Sequence, residues 1–124
     1  MKGARIMIVD DEHVLANMLT DYLSLHGAHI RTFHHPLLAL DSFKQHFSDV
    51  DLVITDESMP NMTGMEMAKQ MLAIKPGLPI ILCTGYSKQA TPDAVANIGI
   101  GALFNKPVSM VELVLKIKSL LAAK

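Results

Sequence analysis

Short apolar segments alternate along the chain with longer segments in which apolar residues recur at helical spacing. One helical stripe runs from Val14 to Leu23 and another from Leu113 to Leu121. The apolar segments between such stretches are Arg5–Val9, His29–Phe33, Leu52–Thr55, Leu78–Cys83 and Ala102–Phe104. Strands that alternate with helices form strand–helix–strand units with right-handed crossovers and a parallel sheet. We therefore predict a (βα)₅ domain.

The detailed pattern predicts where some of these elements lie and where they begin. Ile6–Val9 and Ile80–Cys83 are continuously apolar, as expected of strands that are buried on both faces. His29–Phe33 alternates polar and apolar residues, which favours an edge strand. Thr63 stands three residues before Glu66, a spacing that predicts a capping box at the start of a helix.

Composition narrows the class of protein. With 124 residues, half of them hydrophobic, the chain suits one folded domain over residues 1–124, and we expect no output domain. Its 11 basic and 12 acidic residues create no basic field, which argues against direct nucleic-acid binding. Apolar runs such as Ile6–Val9 have four residues, against about 18 for a membrane span. Cys83 is the single cysteine, so we expect a reducing compartment and a cytoplasmic location.

Polar side chains follow four of the five predicted strands. Asp10 and Asp11 follow the first strand, Asp56 ends the third, Thr84 ends the fourth, and Lys106 lies just beyond the fifth. The second strand delivers no such side chain. In an open parallel sheet the carboxyl ends of the strands share one edge, where ligands bind. We therefore expect three carboxylates, a hydroxyl and an ammonium group to converge there.

This group of side chains is suited to phosphoryl transfer. Clustered carboxylates repel one another unless a cation is present, and oxygen ligands without His or Cys favour Mg²⁺, or else Mn²⁺. Lys106 offers a positive charge and Thr84 a hydrogen bond to phosphoryl oxygens. An aspartate can act as the nucleophile and form an aspartyl phosphate.

The chain resembles the receiver domain of two-component response regulators over essentially its whole length. The segments that carry the resemblance are Ile8–Glu12, Asp56–Gly64, Cys83–Ser87 and Phe104–Pro107, in this order and at the predicted strand ends. Two of them, Asp56–Gly64 and Cys83–Ser87, also look like receivers attached to hybrid sensor histidine kinases. The resemblance implies a doubly wound, five-stranded parallel sheet in the flavodoxin-like order 2-1-3-4-5.

The resemblance also implies roles for the residues of the site. Asp56 would accept a phosphoryl group from a phosphohistidine on a sensor histidine kinase or a histidine phosphotransfer protein. Asp11 and Asp56 would ligate Mg²⁺ directly, Asp10 would hold a metal-bound water, and Ser58 would offer its backbone carbonyl. Lys106 would pair with Asp56 at rest and with the phosphoryl group after transfer.

A phosphorylation-controlled switch is implied in the same way. Thr84 would move toward the phosphoryl oxygen and Phe104 would turn inward behind it, which changes the surface of the fourth helix, fifth strand and fifth helix. The Lys106–Pro107 bond would be cis. The domain would catalyse at most its own phosphotransfer and a slow dephosphorylation, and it would signal to an unknown downstream effector. Dimerisation through the last helix stays open.

Three positions differ from the family pattern or vary within it. Glu57 stands where an apolar or large side chain is common, so it either changes the affinity for the metal or points to solvent. Ser58 and Tyr86 occupy variable positions that influence phosphoryl lifetime, and an aromatic side chain at Tyr86 would shield the site from water.

Other functional classes fit the sequence less well. A phosphatase of the haloacid dehalogenase type places its nucleophile on the first strand with a second Asp two residues later, whereas Asp10 and Asp11 are adjacent. A degenerate receiver that only binds partners would have lost Asp56, Lys106 or one acid of the pair. A flavin-binding domain would need a phosphate-cradling loop after the first strand, and that loop is acidic here.

Overall fold

The computed structural model of the protein describes residues 1–85 and 88–123. The strands are β1 (Arg5–Val9), β2 (His29–Phe33), β3 (Leu52–Asp56), β4 (Ile80–Thr84) and β5 (Ala102–Asn105). The helices are α1 (His13–Leu25), α2 (Pro36–His46), α3 (Gly64–Ile74), α4 (Pro92–Ile98) and α5 (Met110–Ala122), with a short 3₁₀ turn over Phe47–Asp49. Within the described ranges, no helix is long and apolar enough to cross a lipid bilayer.

The five strands form one parallel sheet in the order β2-β1-β3-β4-β5, as predicted. β2 lies at an edge, in agreement with its alternating sequence. The chain reverses direction across the sheet between β2 and β3, so β1 and β3 are neighbours at the centre. The carboxyl ends of β1 and β3 therefore meet at the topological switch point, where this class of fold binds its ligands.

Alternating side chains of the central strands fill two apolar layers, one on each face of the sheet. Met7, Val9 and Leu82 pack with α2, α3 and α4 in one layer. Ile8 and Ile54 pack with α1 and α5 in the other. Because the central strands are covered on both faces, their carboxyl ends form a rigid base for the polar residues that follow.

Three strands, β3, β4 and β5, extend one residue further toward the polar edge than the apolar runs indicate, and β5 ends at Asn105. The run Leu78–Cys83 predicts that the fourth strand begins at Leu78. The strand β4 begins two residues later, since Leu78 and Pro79 precede its first paired residue. β3 continues through Asp56, which pairs with Cys83, and β4 continues through Thr84, which pairs with Asn105. Asp56 and Thr84 are thus held by the backbone of the sheet itself.

Candidate functional site

Three carboxylates come together at the carboxyl ends of β1 and β3. Each of Asp10, Asp11 and Asp56 offers an oxygen, and these oxygens lie within 4.8 Å of one another. Asp10 and Asp56 are each only 5% exposed, whereas Asp11 is half-buried. This is the cluster that the sequence predicts, and its separation suits a shared cation.

Lys106 supplies the positive charge in this cluster. Its Nζ atom lies 3.0 Å from Asp56 Oδ1, 3.6 Å from Glu12 Oε1 and 4.0 Å from Asp10 Oδ2. The shortest of these contacts is the predicted pair with the phosphoacceptor candidate. The other two show that Lys106 also balances the charge that follows β1.

The neighbouring strand ends place the remaining site residues. The Lys106 amide donates to the Thr84 carbonyl at 2.9 Å, and the Lys106–Pro107 peptide bond is cis, as predicted. Thr84 is buried, and its Oγ1 has no hydrogen-bond partner within the described part of the chain. Phe104 lies on β5 opposite Cys83 and packs, half-buried, against the α1–α5 layer. A buried hydroxyl without a partner is free to donate to an incoming oxygen.

Burial and charge shift the pKa values of the site in a consistent way. Burial raises the pKa of the Asp56 carboxyl, and the hydrogen bond and charge of Lys106 only partly oppose this. Burial also raises the pKa of Asp10, and the nearby Asp56 adds to the effect. Burial tends to lower the pKa of Lys106, but its bond to Asp56 and the surrounding acids outweigh this, so the pKa is raised. The carboxylates are therefore electrostatically strained without a further cation.

The donor set fits a hard divalent cation. Oxygen ligands from carboxylates are those that Mg²⁺ prefers, and one or two of them suffice when water and phosphate oxygens complete its octahedron. Cys83 is no competing ligand, because burial raises the pKa of its thiol to about 12. The residues predicted to hold Mg²⁺ thus lie where such an ion would relieve their repulsion.

Two contacts to the site were not predicted from the sequence. Glu12 forms an ion pair with Lys106. Its position directly after Asp10 and Asp11 is the sequence feature from which this contact could have been predicted. His34 lies 3.1 Å through Nδ1 from the Asp10 carbonyl oxygen and stacks on His13 with ring centroids 3.7 Å apart. The expectation that the second strand delivers no polar side chain is wrong, because His34 directly follows β2 at the same edge.

Glu57 and Ser58 lie in the segment that follows β3. Glu57 is only 4% exposed, so the alternative in which it points to solvent is wrong. Its Oε1 accepts a hydrogen bond from the Met65 amide at 2.9 Å, and burial raises the pKa of its carboxyl. Ser58 is exposed and lines the same surface cavity as Asp11. Tyr86 lies outside the described residues, and its shielding role stays a prediction.

The comparison with protein families matches this geometry. The model of the response regulator receiver domain family matches residues 6–118. The chain belongs to this family. The family match covers the sheet from Ile6 of β1 to the end of β5 and all the site residues named above.

Individual relatives agree with the family assignment. The probable transcriptional regulatory protein TcrX of Mycobacterium tuberculosis is 33% identical over 118 residues, which are 94% of this chain and 49% of TcrX. The receiver chain thus spans about half the length of such curated relatives. The autoinducer 2 sensor kinase/phosphatase LuxQ of Vibrio vulnificus is 26% identical over 113 residues, or 90% of this chain and 13% of LuxQ.

A solved structure shows the same fold. The response regulator TrrA of Thermotoga maritima, in complex with magnesium and BeF, is 32% identical and superposes with a TM-score of 0.84. The similarity covers 97% of this chain and 99% of TrrA. The family, the flavodoxin-like sheet and the acidic site are therefore shown together, and the chain is a receiver domain of the two-component response regulators.

Proposed function

We propose that this receiver domain accepts a phosphoryl group on Asp56 and thereby switches the surface formed by α4, β5 and α5. The observation that carries the proposal is the arrangement around Asp56. Its buried carboxylate lies 3.0 Å from Lys106 and within 4.8 Å of two further carboxylates. A structural ion pair alone does not call for two extra carboxylates beside it, whereas a cation-assisted phosphoryl transfer does.

The transfer forms one O–P bond and breaks one P–N bond. One Asp56 oxygen attacks the phosphorus of the donor phosphohistidine in line with the P–N bond. The imidazole leaves with the bonding electron pair and takes up a proton. The strand position of Asp56 holds this nucleophile in place, because its backbone is paired in β3.

Asp10, Asp11 and Asp56, with the carbonyl of Ser58, would hold Mg²⁺; Mn²⁺ is the alternative ion. When bound, the ion neutralises the charge that develops on the phosphoryl oxygens. Asp10 Oδ1 already accepts from the Glu12 amide at 2.9 Å, so its orientation is set and only its other oxygen is available for a metal-bound water. Asp11 and Asp56 remain as the direct carboxylate ligands.

Lys106 and Thr84 would convert the new phosphoryl group into a change of shape. Lys106 exchanges its bond to Asp56 for one to a phosphoryl oxygen and thereby keeps its charge compensated. The Thr84 hydroxyl, which has no partner in the described residues, donates to another phosphoryl oxygen. Phe104 on the adjacent strand then turns into the space behind Thr84. A local shift at β4 thereby biases the α4–β5–α5 surface.

Receiver domains interact with histidine kinases or phosphotransfer proteins and with effectors. We propose that the phosphodonor here is a sensor histidine kinase or a histidine phosphotransfer protein, and that it docks near α1. Val14 and Met18, four residues apart on α1, are 73% and 53% exposed, so this face of α1 presents apolar surface to a partner. Met18 also lines the cavity of about 470 Å³ that reaches Asp56 and Lys106. A downstream effector would bind the switched surface.

Several sequence expectations stay predictions. They are the single domain over residues 1–124 without an output domain, the cytoplasmic location, the absence of direct nucleic-acid binding and a homodimer through α5. The similarity to LuxQ supports a receiver within a hybrid kinase, and the similarity to TcrX supports one within a transcriptional regulator. We favour a phosphoacceptor over an independent phosphatase, because Lys106 lies closer to Asp56 on β3, at 3.0 Å, than to Glu12 and Asp10 after β1, at 3.6 and 4.0 Å.

The proposal is tested with a small acyl phosphate as donor. Incubated with this donor and Mg²⁺, the protein should gain the mass of one phosphoryl group. The gain should be absent in Asp56→Asn and after chelation of the metal. Labelling that survives Asp56→Asn, or that proceeds without any divalent ion, would contradict the mechanism.

A further inference from the structure

Glu57 follows the phosphoacceptor candidate directly, and three hydrogen bonds connect it to two other elements. Its amide donates to the carbonyl of Cys83, the penultimate residue of β4, at 2.9 Å. Its carbonyl accepts from the Gly64 amide at 3.0 Å, and its Oε1 accepts from the Met65 amide at 2.9 Å. Gly64 and Met65 are the first two residues of α3. One residue thus joins β3, β4 and the start of α3.

The start of α3 depends on Glu57 for half of its hydrogen bonds. A helix leaves its first four amides without partners inside the helix. Here Thr63 and Glu66 satisfy two of the four through a reciprocal capping box, at 2.9 and 3.1 Å. The other two amides, of Gly64 and Met65, bond to the carbonyl and the carboxylate of Glu57. The capping box is the one that the sequence predicts, but Glu57 completes it from outside the helix.

The charge of Glu57 is directed toward α3. The amino end of a helix carries a partial positive charge that stabilises a carboxylate. One Glu57 oxygen is committed to the Met65 amide, and Glu57 is not among the carboxylates whose oxygens cluster within 4.8 Å. Glu57 is therefore placed to hold the loop rather than to bind the metal.

The start of α3 lies very close to Asp56, so the hydrogen bonds from Glu57 to α3 also affect the position of Asp56. Gly64 packs so tightly on the Asp56 carbonyl oxygen that a methyl group at Gly64 would overlap it. A movement of the α3 terminus toward β3 would therefore press on the backbone of Asp56, and Ser58 lies two residues further along the same chain segment. Residues that do not contact the metal but hydrogen-bond to its ligands and orient them are important for binding. Their replacement lowers metal affinity by about 10- to 100-fold.

We propose that Glu57 is a positioning residue of the metal site, which holds Asp56 and the Ser58 carbonyl in ligating position through its bond to the Met65 amide. This inference rests on the proposed Mg²⁺-dependent function of Asp56. In Glu57→Leu the side chain keeps its bulk but loses the acceptor, so the affinity for Mg²⁺ falls by about tenfold or more. In Glu57→Gln the amide oxygen still accepts from Met65, so the affinity changes by less than about threefold.

The measurement is calorimetric titration of each variant with MgCl₂ alone, with thermal stability recorded in parallel. Asp11→Asn is the control for the loss of a direct ligand. Thr63→Ala is the control for a weakened start of α3, because it removes the bond to the Glu66 amide and leaves Glu57 in place. We expect Thr63→Ala to lower thermal stability while the Mg²⁺ affinity stays at the wild-type value. Glu57→Ala provides a second variant without the acceptor should Glu57→Leu fail to fold.

Three results would overturn this role for Glu57. They are wild-type affinity in both Glu57→Leu and Glu57→Ala, a loss in Glu57→Gln as large as in Asp11→Asn, or a loss in Thr63→Ala equal to that in Glu57→Leu. Failure of the wild-type protein to bind Mg²⁺ would instead contradict the proposed function itself, so the two failures are distinguishable.

Discussion

Replacing Asp10 by Asn should make the metal-free protein more stable at neutral pH. The substitution removes one negative charge from a cluster of three carboxylates whose oxygens lie within 4.8 Å of one another. The side chain keeps the shape of Asp, and the Asn oxygen can still accept a hydrogen bond from the Glu12 amide, as Asp10 Oδ1 does at 2.9 Å. The change in stability therefore reports mainly on charge.

The size of the effect follows from the distances. Two like charges about 4.8 Å apart repel by about 1 kcal/mol in water and by about 3.5 kcal/mol at an effective dielectric constant of about 20. The substitution removes two such repulsions, with Asp11 and Asp56, and one attraction of similar size to Lys106 at 4.0 Å. The net gain is close to one pair interaction. Because Asp11 is partly exposed to water, we expect the lower limit, about 1 kcal/mol.

The pH dependence has a definite sign. Burial raises the pKa of Asp10 above 3.8, its ordinary value, so the folded state holds a proton that the unfolded state has already released. The wild-type protein therefore loses stability as the pH rises from about 3.8 through the folded-state pKa of Asp10. Asp10→Asn does not show this loss. The extra stability of Asp10→Asn relative to the wild type is complete at pH values above the folded-state pKa of Asp10. It vanishes at pH values below the pKa that Asp10 has in the unfolded state.

Urea unfolding followed by circular dichroism, with a chelator present, measures this difference at pH 7.5 and near pH 4. The reasoning is refuted if Asp10→Asn is less stable than the wild type at pH 7.5, or if the difference between them does not change with pH. Saturating Mg²⁺ is the control, because it stabilises the wild-type protein more than the variant and so reduces the gap or reverses it.

Three further predictions concern other parts of the site. Lys106→Ala should still be phosphorylated but should leave the nuclear magnetic resonance shifts of α4, β5 and α5 near their resting values; a complete change would argue against its role. Gly64→Ala should destabilise the fold by about 1–3 kcal/mol in urea unfolding, because its methyl group meets the Asp56 carbonyl; wild-type stability would contradict this packing. Cys83, whose pKa is raised to about 12 by burial, should resist iodoacetamide at pH 8 until the protein unfolds; rapid labelling of the folded protein would show the thiol to be accessible.

The architecture and the main site residues were predictable because they depend on local pattern. Continuous apolar runs at Ile6–Val9 and Ile80–Cys83 mark strands that are covered on both faces, and a parallel sheet brings the ends of such strands to one edge. Asp10 and Asp11 after the first of these strands, Thr84 at the end of the second and Lys106 just beyond β5 could therefore be placed at one edge from the sequence.

The contacts that were missed depend on how elements pack, which short-range pattern does not encode. The sequence shows Glu57 only as an acid beside the phosphoacceptor candidate. Its hydrogen bond to the Met65 amide forms because α3 packs against this segment in the folded protein. His34 directly follows an edge strand with an alternating pattern, and only the pairing of β2 with β1 places it against the Asp10 carbonyl. The first residue of β4 was also misplaced, because the apolar run begins at Leu78 whereas the strand begins at Ile80.

The most direct test of the central claim is the position of the phosphoryl group. Borohydride reduces an aspartyl phosphate to homoserine, which peptide mass mapping locates in the chain. After treatment with an acyl phosphate and Mg²⁺, we predict homoserine at position 56, in an amount that rises with the extent of phosphorylation. Homoserine at position 10 or 11, or a phosphorylated protein without homoserine at position 56, would contradict the assignment of Asp56 as the phosphoacceptor.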